Sequence, residues 1–375
     1  MKEAILAALA AALFWTVLPL LTAGTAAPVP PAAEETIPQT EPTRQTVPET
    51  ETESSPGQAQ EEAEGVSVRF DETFFLPVLT GQGVRTMDLH TYLTGALLAE
   101  MPMRFAPEAR KAQAVACRTY ALRSFGHPRH DGAAVCVDSG CCQGWTDPEQ
   151  ADSAARAAAE QAVSETDGLA VYYGEDLIDA TFFSCSGGQT ESAAAVWGSD
   201  LPYLQSVESP GEEDAAHFRD KLCVDLDRFC AVLRQEDDAV CFPAEKGGWV
   251  GGITYTPGGG VDTIVLGGRP FRGTRIRKLF SLRSTVFTLE LTDTQAVFHT
   301  QGFGHRVGLS QYGAEAMAEE GADFIRILTW YYRGVTVRPV QADPQWTHMR
   351  KSLPERKAFS VGCGFFQTSR LRLGR

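Results

Sequence analysis

Positive charge is scarce in this chain. Its 33 Lys and Arg face 48 Asp and Glu, a formal net charge of −15 over 375 residues. Binding to nucleic acid requires a basic surface that neutralises phosphates, so that class of partner is excluded. Internal repeats are absent. The glycine-rich segment GFGHRVG lacks the Lys-Ser/Thr pair that follows the glycines of a phosphate loop. The cysteine-rich loop HDGAAVCVDSGCCQGW has no C-x2-C knuckle, and the N-terminal segment has no clean A-x-A cleavage site.

What is present is enough for a full core. With 43% hydrophobic and 22% charged residues, the chain can build one large domain or two ordinary ones. The charge is uneven: residues 1–64 carry a net −8 and residues 338–375 a net +6, which leaves −13 for the middle. Nine cysteines are many for a reduced cytosolic enzyme, and an odd number cannot all pair within the chain.

The first 24 residues begin with Lys2 and run apolar from Ala4 to Leu21. That length suits either a signal peptide or a slightly short uncleaved membrane anchor, and the anchor is the expectation. Residues 25–65 are rich in Pro, Thr and Glu with almost no large apolar side chains, the composition of an extended, self-repelling linker. A globular region is expected over residues 66–340, followed by a basic tail over 341–375 in which no chemistry is apparent. Helical and strand-like patterns intermix in the globular region, so the expected class is α+β with a single mixed domain.

Within it, apolar residues at Leu89, Tyr92, Leu93, Ala96 and Leu97 follow the helical period, and Glu100 continues that stripe. Pro102 should end the helix there, placing the carboxylate at the negative end of the helix dipole. Partial burial and the dipole would both raise its pKa, as a glycosidase-type general acid requires. The competing outcome is a last turn that simply twists Glu100 into solvent.

A second helix should start at Pro107 and run through Phe125, its Ala109, Ala112, Gln113, Ala116 and Cys117 letting another element approach closely. Arg118 on it reads most simply as a solvated or ion-paired charge. A third helix should end at Gly168. LAVYY and LIDATFF around Gly174 then suggest a β-hairpin. Ser184 and Ser186, in the loop SCSGGQTES, are candidates for ligand hydrogen bonds, without an acid or base at a spacing that would make either a nucleophile. Between Gly211 and Phe242 the pattern suggests one more helix, carrying Cys223 and Cys230 two turns apart.

His130, Cys136, Cys141 and Cys142 form His-x5-Cys-x4-Cys-Cys, a nitrogen and sulfur donor set that suits zinc. A disulfide within the group is the alternative in an exported protein. Adjacent cysteines rarely both face one metal, so one of Cys141 and Cys142 is expected to stand aside. His305 lies among glycines as a substrate donor, a base or a structural histidine.

Taken together, YLTGALLAEMP, EARKAQAVACRTYAL, HDGAAVCVDSGCCQGW, SCSGGQTESAAAVWG with PYLQSVESP, and GFGHRVGLSQYGAEAMA with ILTWYYRGV resemble the stage II sporulation protein D family, in the family's order and over residues 66–337. A sister branch comprises amidase enhancers. The resemblance implies a peptidoglycan lytic transglycosylase, acting between MurNAc and GlcNAc of peptide-stripped glycan strands during endospore formation. The Glu of the E-M-P motif, here Glu100, would be the acid. It also implies a zinc site at His130, Cys136 and Cys142, and places Arg118, His305, Ser310, Gln311 and Tyr312 near the cleft. Arg306 stands where the family usually has Gly. Implied partners are the glycan strands, a sporulation amidase, and proteins of the membrane engulfment complex. The implied location is the mother-cell membrane facing the space next to the forespore, or the medium if the N-terminal segment is cleaved. The alternative function is a non-catalytic, glycan-binding enhancer of an amidase.

Overall fold

The structure, a computed structural model, describes residues 69–341. The expected anchor, the linker and the tail beyond residue 341 lie outside the described residues. Among the described residues, no helix is long and apolar enough to cross a membrane.

Helices and strands are mixed along the chain, as an α+β fold requires. Phe75–Thr80 and Gly83–Asp88 form a hairpin that feeds directly into the helix Leu89–Glu100. Asp88 caps that helix, its side chain accepting from the Thr91 N–H at 2.8 Å. The helix stops at Glu100, and Met101 is extended (φ −129°, ψ 139°), the conformation that Pro102 imposes on the residue before it.

The helix Pro107–Gly126 runs through the centre of the main core. Its Ala109, Ala112, Ala116 and Cys117 are fully buried, and the helices Leu89–Glu100, Ser153–Glu165, Gln311–Glu319 and Phe324–Tyr331 pack around it together with the strand Leu169–Tyr173. Small side chains there allow that density of neighbours.

The hairpin expected around Gly174 is short. Leu169–Tyr173 pairs with Asp176–Leu177 on one side and with Thr336–Pro339 on the other, whereas Phe182–Phe183 pairs in parallel with Leu309–Ser310. The expected helix between Gly211 and Phe242 is also corrected. Arg219–Asp225 is a strand on the edge of a sheet with Gln295–Gln301 and Val286–Leu291, and the helix begins only at Leu226. Leu222 and Val224 alternate with exposed neighbours in RDKLCVD, a period of two that the helix-forming residues before it and the helix after it masked. Cys223 is therefore exposed on a strand and Cys230 buried on a helix.

That sheet, the three strands Val250–Tyr255, Val261–Leu266 and Arg269–Arg272, and the helices Leu226–Glu236 and Gly273–Phe280 enclose a second core of their own. Phe229, Phe280 and Phe298 meet at its centre, the first two stacked at 5.4 Å. The layer is inserted between the SCSGG and GFGHRVG segments, yet those two segments lie together. Cys185 bridges Phe303, and Glu191 bridges Val307. Gly308 permits this, since its φ is +84° and a Cβ there would lie 2.2 Å from the Thr181 carbonyl oxygen.

Candidate functional site

The two paired segments, the end of the Leu89–Glu100 helix and the cysteine loop enclose a cavity of about 850 Å³. Glu100 reaches it half-buried. Burial pushes its carboxyl above the ordinary value of 4.5, and a hydrogen bond from the Gly144 N–H to Oε1 opposes that rise in part.

Gly144 is held there by the rest of its loop. Tyr92 donates its hydroxyl to Gln143 Oε1 at 2.9 Å, and the Thr146 N–H donates to the Gly95 carbonyl at 3.1 Å. The loop lies so close to the helix that a Cβ on Gly95 would fall 2.2 Å from Trp145 Nε1. The same loop carries Cys141 and Cys142, which line the cavity beside Glu100.

His130, Cys136, Cys141 and Cys142 converge, their donor atoms all within 4.8 Å of one another. His130 Nε2 is 3.2 Å from Cys142 Sγ and 3.7 Å from Cys141 Sγ. The eight cysteines of the described residues are free thiols. Both adjacent thiols lie in this group, where one was expected to stand aside from the metal: a loop turning over residues 138–142, with the Cys141 and Cys142 N–H groups both bonded to the Asp138 carbonyl, brings both to one side. Burial lifts the Cys142 thiol, but hydrogen bonds from the Cys136 backbone, His130 and Tyr120 outweigh it and bring the pKa down to about 7. Cys136 is pushed up to about 11, mainly by burial. A set of one imidazole and three thiols at this spacing can hold a metal ion.

Of the residues expected at the cleft, Glu100, Ser184, His305 and Gln311 line the cavity. His305 is set between Trp197 and Phe183, with ring centroids at 5.2 and 5.7 Å. Its Nδ1 accepts from the Val307 N–H at 3.1 Å. Burial and the nearby Arg277 push its pKa down to about 4, so the ring is neutral near pH 7.

Arg118, Ser186, Ser310 and Tyr312 lie elsewhere. Arg118 is fully buried and ion-paired with Asp71, Nη2 to Oδ2 at 2.5 Å and Nε to Oδ1 at 2.9 Å, while Nη1 donates to the Leu169 carbonyl. It holds the first helical turn of the domain onto the core. Ser186 donates to Glu212 Oε2 at 2.7 Å, and Ser310 donates to the other oxygen of the same carboxylate. Glu212 also accepts from the Ser186 and Gly187 N–H groups and from Ser209. Its buried carboxylate thus joins the two motif loops from below. Sequence inspection missed it because ESPGEED offers several equivalent acids on a turn. Tyr312 packs its ring edge-on against Phe105, centroids 5.0 Å apart.

The cavity wall also contains Tyr120, Trp197 and Phe303, which lie within the quoted family motifs without having been singled out, and Arg129 and Asp179, which lie outside them. Asp179 is a second carboxylate. Trp197 is 45% exposed, and its flat apolar face at the mouth suits the apolar face of a sugar ring.

Arg306 adopts φ +68°, the left-handed region where Gly is at ease. Its guanidinium is buried against Glu191 at 3.3 Å and donates to the carbonyls of Ser186, Gln189 and Gly258, each at 2.6 Å. The side chain thereby ties the SCSGG loop to the inserted layer.

Comparison with known proteins gives the family of the chain. A family model described as "Stage II sporulation protein" matches residues 80–173, the stretch that contains Glu100 and all four clustered donors. Stage II sporulation protein D of Bacillus subtilis (strain 168) is 34% identical over 290 residues, covering 70% of this chain and 77% of that protein. The chain belongs to the stage II sporulation protein D family. The family member from Bacillus amyloliquefaciens is also 34% identical, over 271 residues, 69% of this chain and 76% of the relative. Beyond the sporulation protein D branch, the amidase enhancer of Bacillus subtilis (strain 168) is 26% identical over 294 residues, 65% of this chain but 40% of that longer protein.

Proposed function

We propose that this sporulation protein is a lytic transglycosylase that cleaves the MurNAc–GlcNAc bond of peptide-stripped glycan strands and leaves 1,6-anhydro-MurNAc ends. The observation that carries the reading is Glu100: a half-buried carboxyl with a raised pKa, at the end of a helix, in an 850 Å³ cavity edged by aromatic rings. Such a group donates a proton to the glycosidic oxygen as positive charge develops on the sugar. The carboxylate left behind then removes the proton from the C6 hydroxyl of the same sugar, whose oxygen closes the anhydro ring. The departing GlcNAc carries away the first proton, and Glu100 is reset by the second. Trp197 stacks on a sugar ring, and Ser184 and Gln311 hydrogen-bond its substituents.

Zinc is the metal that the donor set of His130 and the cysteine loop suits best, since thiolate and imidazole are its preferred ligands. When bound, it supplies folding energy to the loop that holds Gly144 against Glu100. The protein acts outside the cytoplasm, anchored through its N-terminal segment, beside a sporulation amidase that strips the strands and the other engulfment proteins.

Purified protein incubated with amidase-treated sacculi should release anhydro-ended sugars, identified by mass, and Glu100→Gln should abolish them while still binding glycan. Equal product from both proteins would overturn the reading. The relationship to an amidase enhancer favours a second one, a non-catalytic glycan-binding enhancer. It predicts no soluble sugars from either protein and faster amidase turnover with both.

A further inference from the structure

We infer that Cys141 is the fourth ligand of the bound zinc and closes its coordination sphere on the side of the substrate cavity. The inference rests on the zinc reading above and adds to it a ligand that the family resemblance does not supply.

Four observations lead to it. Cys141 is one of four donors that all lie within 4.8 Å of each other, not a neighbour outside the group. In a tetrahedral zinc site, sulfur and nitrogen ligands stand about 3.6 Å apart, from bond lengths near 2.3 and 2.0 Å. His130 Nε2 meets that spacing with both adjacent thiols, at 3.7 Å to Cys141 and 3.2 Å to Cys142. Cys141 is exposed while Cys136 is buried, and it lines the cavity that Glu100 lines. It thus occupies the side from which water or a sugar hydroxyl would otherwise reach the metal.

The chemical consequence is a division of labour. A three-ligand zinc keeps a water or substrate position open and works as a Lewis acid, whereas Cys3His is a closed structural site. With Cys141 bound, the sugar meets no open metal position. The metal then acts on the chain alone, clamping the turn from Asp138 to Cys142 whose continuation presents the Gly144 N–H to Glu100. Glu100 is left as the proton carrier beside it.

The test uses the full chain, loaded with zinc or with Co²⁺ as a spectroscopic stand-in. Wild type should bind one metal per chain and show thiolate-to-cobalt absorption for three sulfurs. Cys141→Ala, at an exposed position, should lose about one third of that intensity because two thiolates remain. It should also bind zinc at least about tenfold more weakly against a competing chelator, since even outer partners of a site commonly contribute that much. Iodoacetamide should label Cys141 in the metal-free wild type and fail to label it in the zinc form. If the variant keeps full intensity and affinity, and Cys141 is labelled equally fast with and without zinc, the site has three ligands and the inference falls while the zinc reading stands. If neither protein takes up metal, the zinc reading falls and takes the inference with it.

Discussion

The backbone N–H of Gly144 donates to Oε1 of Glu100, from a position two residues beyond Cys142. The candidate acid and the candidate metal loop are thereby one mechanical unit. Burial lifts the Glu100 carboxyl toward the protonated state, and the Gly144 amide holds one of its oxygens in place at the cavity wall.

Glu100→Gln should lower the release of anhydro sugars by at least about 10²-fold, the usual contribution of a general acid. For the wild type, activity should fall as pH rises through the raised pKa of Glu100, because the protonated form is the donor. Stability gives an independent check of the same shift. The fold favours the neutral carboxyl, so that contribution is complete below the unfolded value near 4.5 and is lost as pH rises through the higher folded value. Glu100→Gln is neutral throughout, and its melting temperature relative to wild type should rise between acidic and neutral pH. A constant difference across the series would contradict the raised pKa.

Removing the metal should loosen the loop before it unfolds the domain. With a chelator present, the Gly144 amide should exchange its hydrogen faster, and kcat should fall at least about tenfold with little change in KM. Zinc addition should restore both. Unchanged Gly144 protection would show that Tyr92, Gln143 and the Thr146–Gly95 bond hold the loop unaided.

Asp179 shares the cavity with Glu100, and a hydrolase would use such a second carboxylate to serve water or as a nucleophile. The lytic route needs a single carboxylate. Asp179→Asn should therefore keep the anhydro product, with a rate loss below about tenfold, well short of the loss of a general acid. Reducing-end sugars from wild type that vanish in Asp179→Asn would assign the protein to hydrolysis.

Arg118→Ala should destabilise the fold by about 3–5 kcal/mol, because it leaves the Asp71 carboxylate buried and unpaired. Urea denaturation measures this. The more conservative Arg118→Lys, in whatever fraction folds, should bind glycan with unchanged affinity, as expected of a residue 0% exposed in the core. A weakened affinity in folded Arg118→Lys would return Arg118 to the cleft.

Arg306→Gly should relieve a left-handed backbone conformation that costs an L residue about 1–2 kcal/mol. It should nonetheless destabilise the protein by about 3–5 kcal/mol, since Glu191 is 1% exposed and would lose its charge partner. Adding Glu191→Gln should recover part of the loss. A double-mutant cycle reads the coupling, and additive effects would show that the two side chains do not depend on one another.

Local pattern determined much of this protein. Asp88, the stripe from Leu89 to Leu97 and Pro102 specify a helix, its buried face and its last residue, and so deliver Glu100 to the edge of the core. Small residues after Pro107 mark the central helix, and the cysteine loop shows its donor types. These features were legible because each depends on neighbours within a few positions in the chain. The tertiary structure alone decided which motif residues face the cavity. Arg118 turns to Asp71, 47 positions away, and Ser186 and Ser310 turn to Glu212, an acid that resembles its neighbours in the chain. The strand Arg219–Asp225 took its identity from pairing with Gln295–Gln301. Cys141 lies with His130, Cys136 and Cys142 because the turn after Asp138 rotates two adjacent thiols to one side. Glu100 itself gained its partner from Gly144, 44 residues on. Helical period can place a carboxylate at the rim of a core. Burial, and the hydrogen-bond donor set against it, come from distant segments, and those determine whether it is an acid.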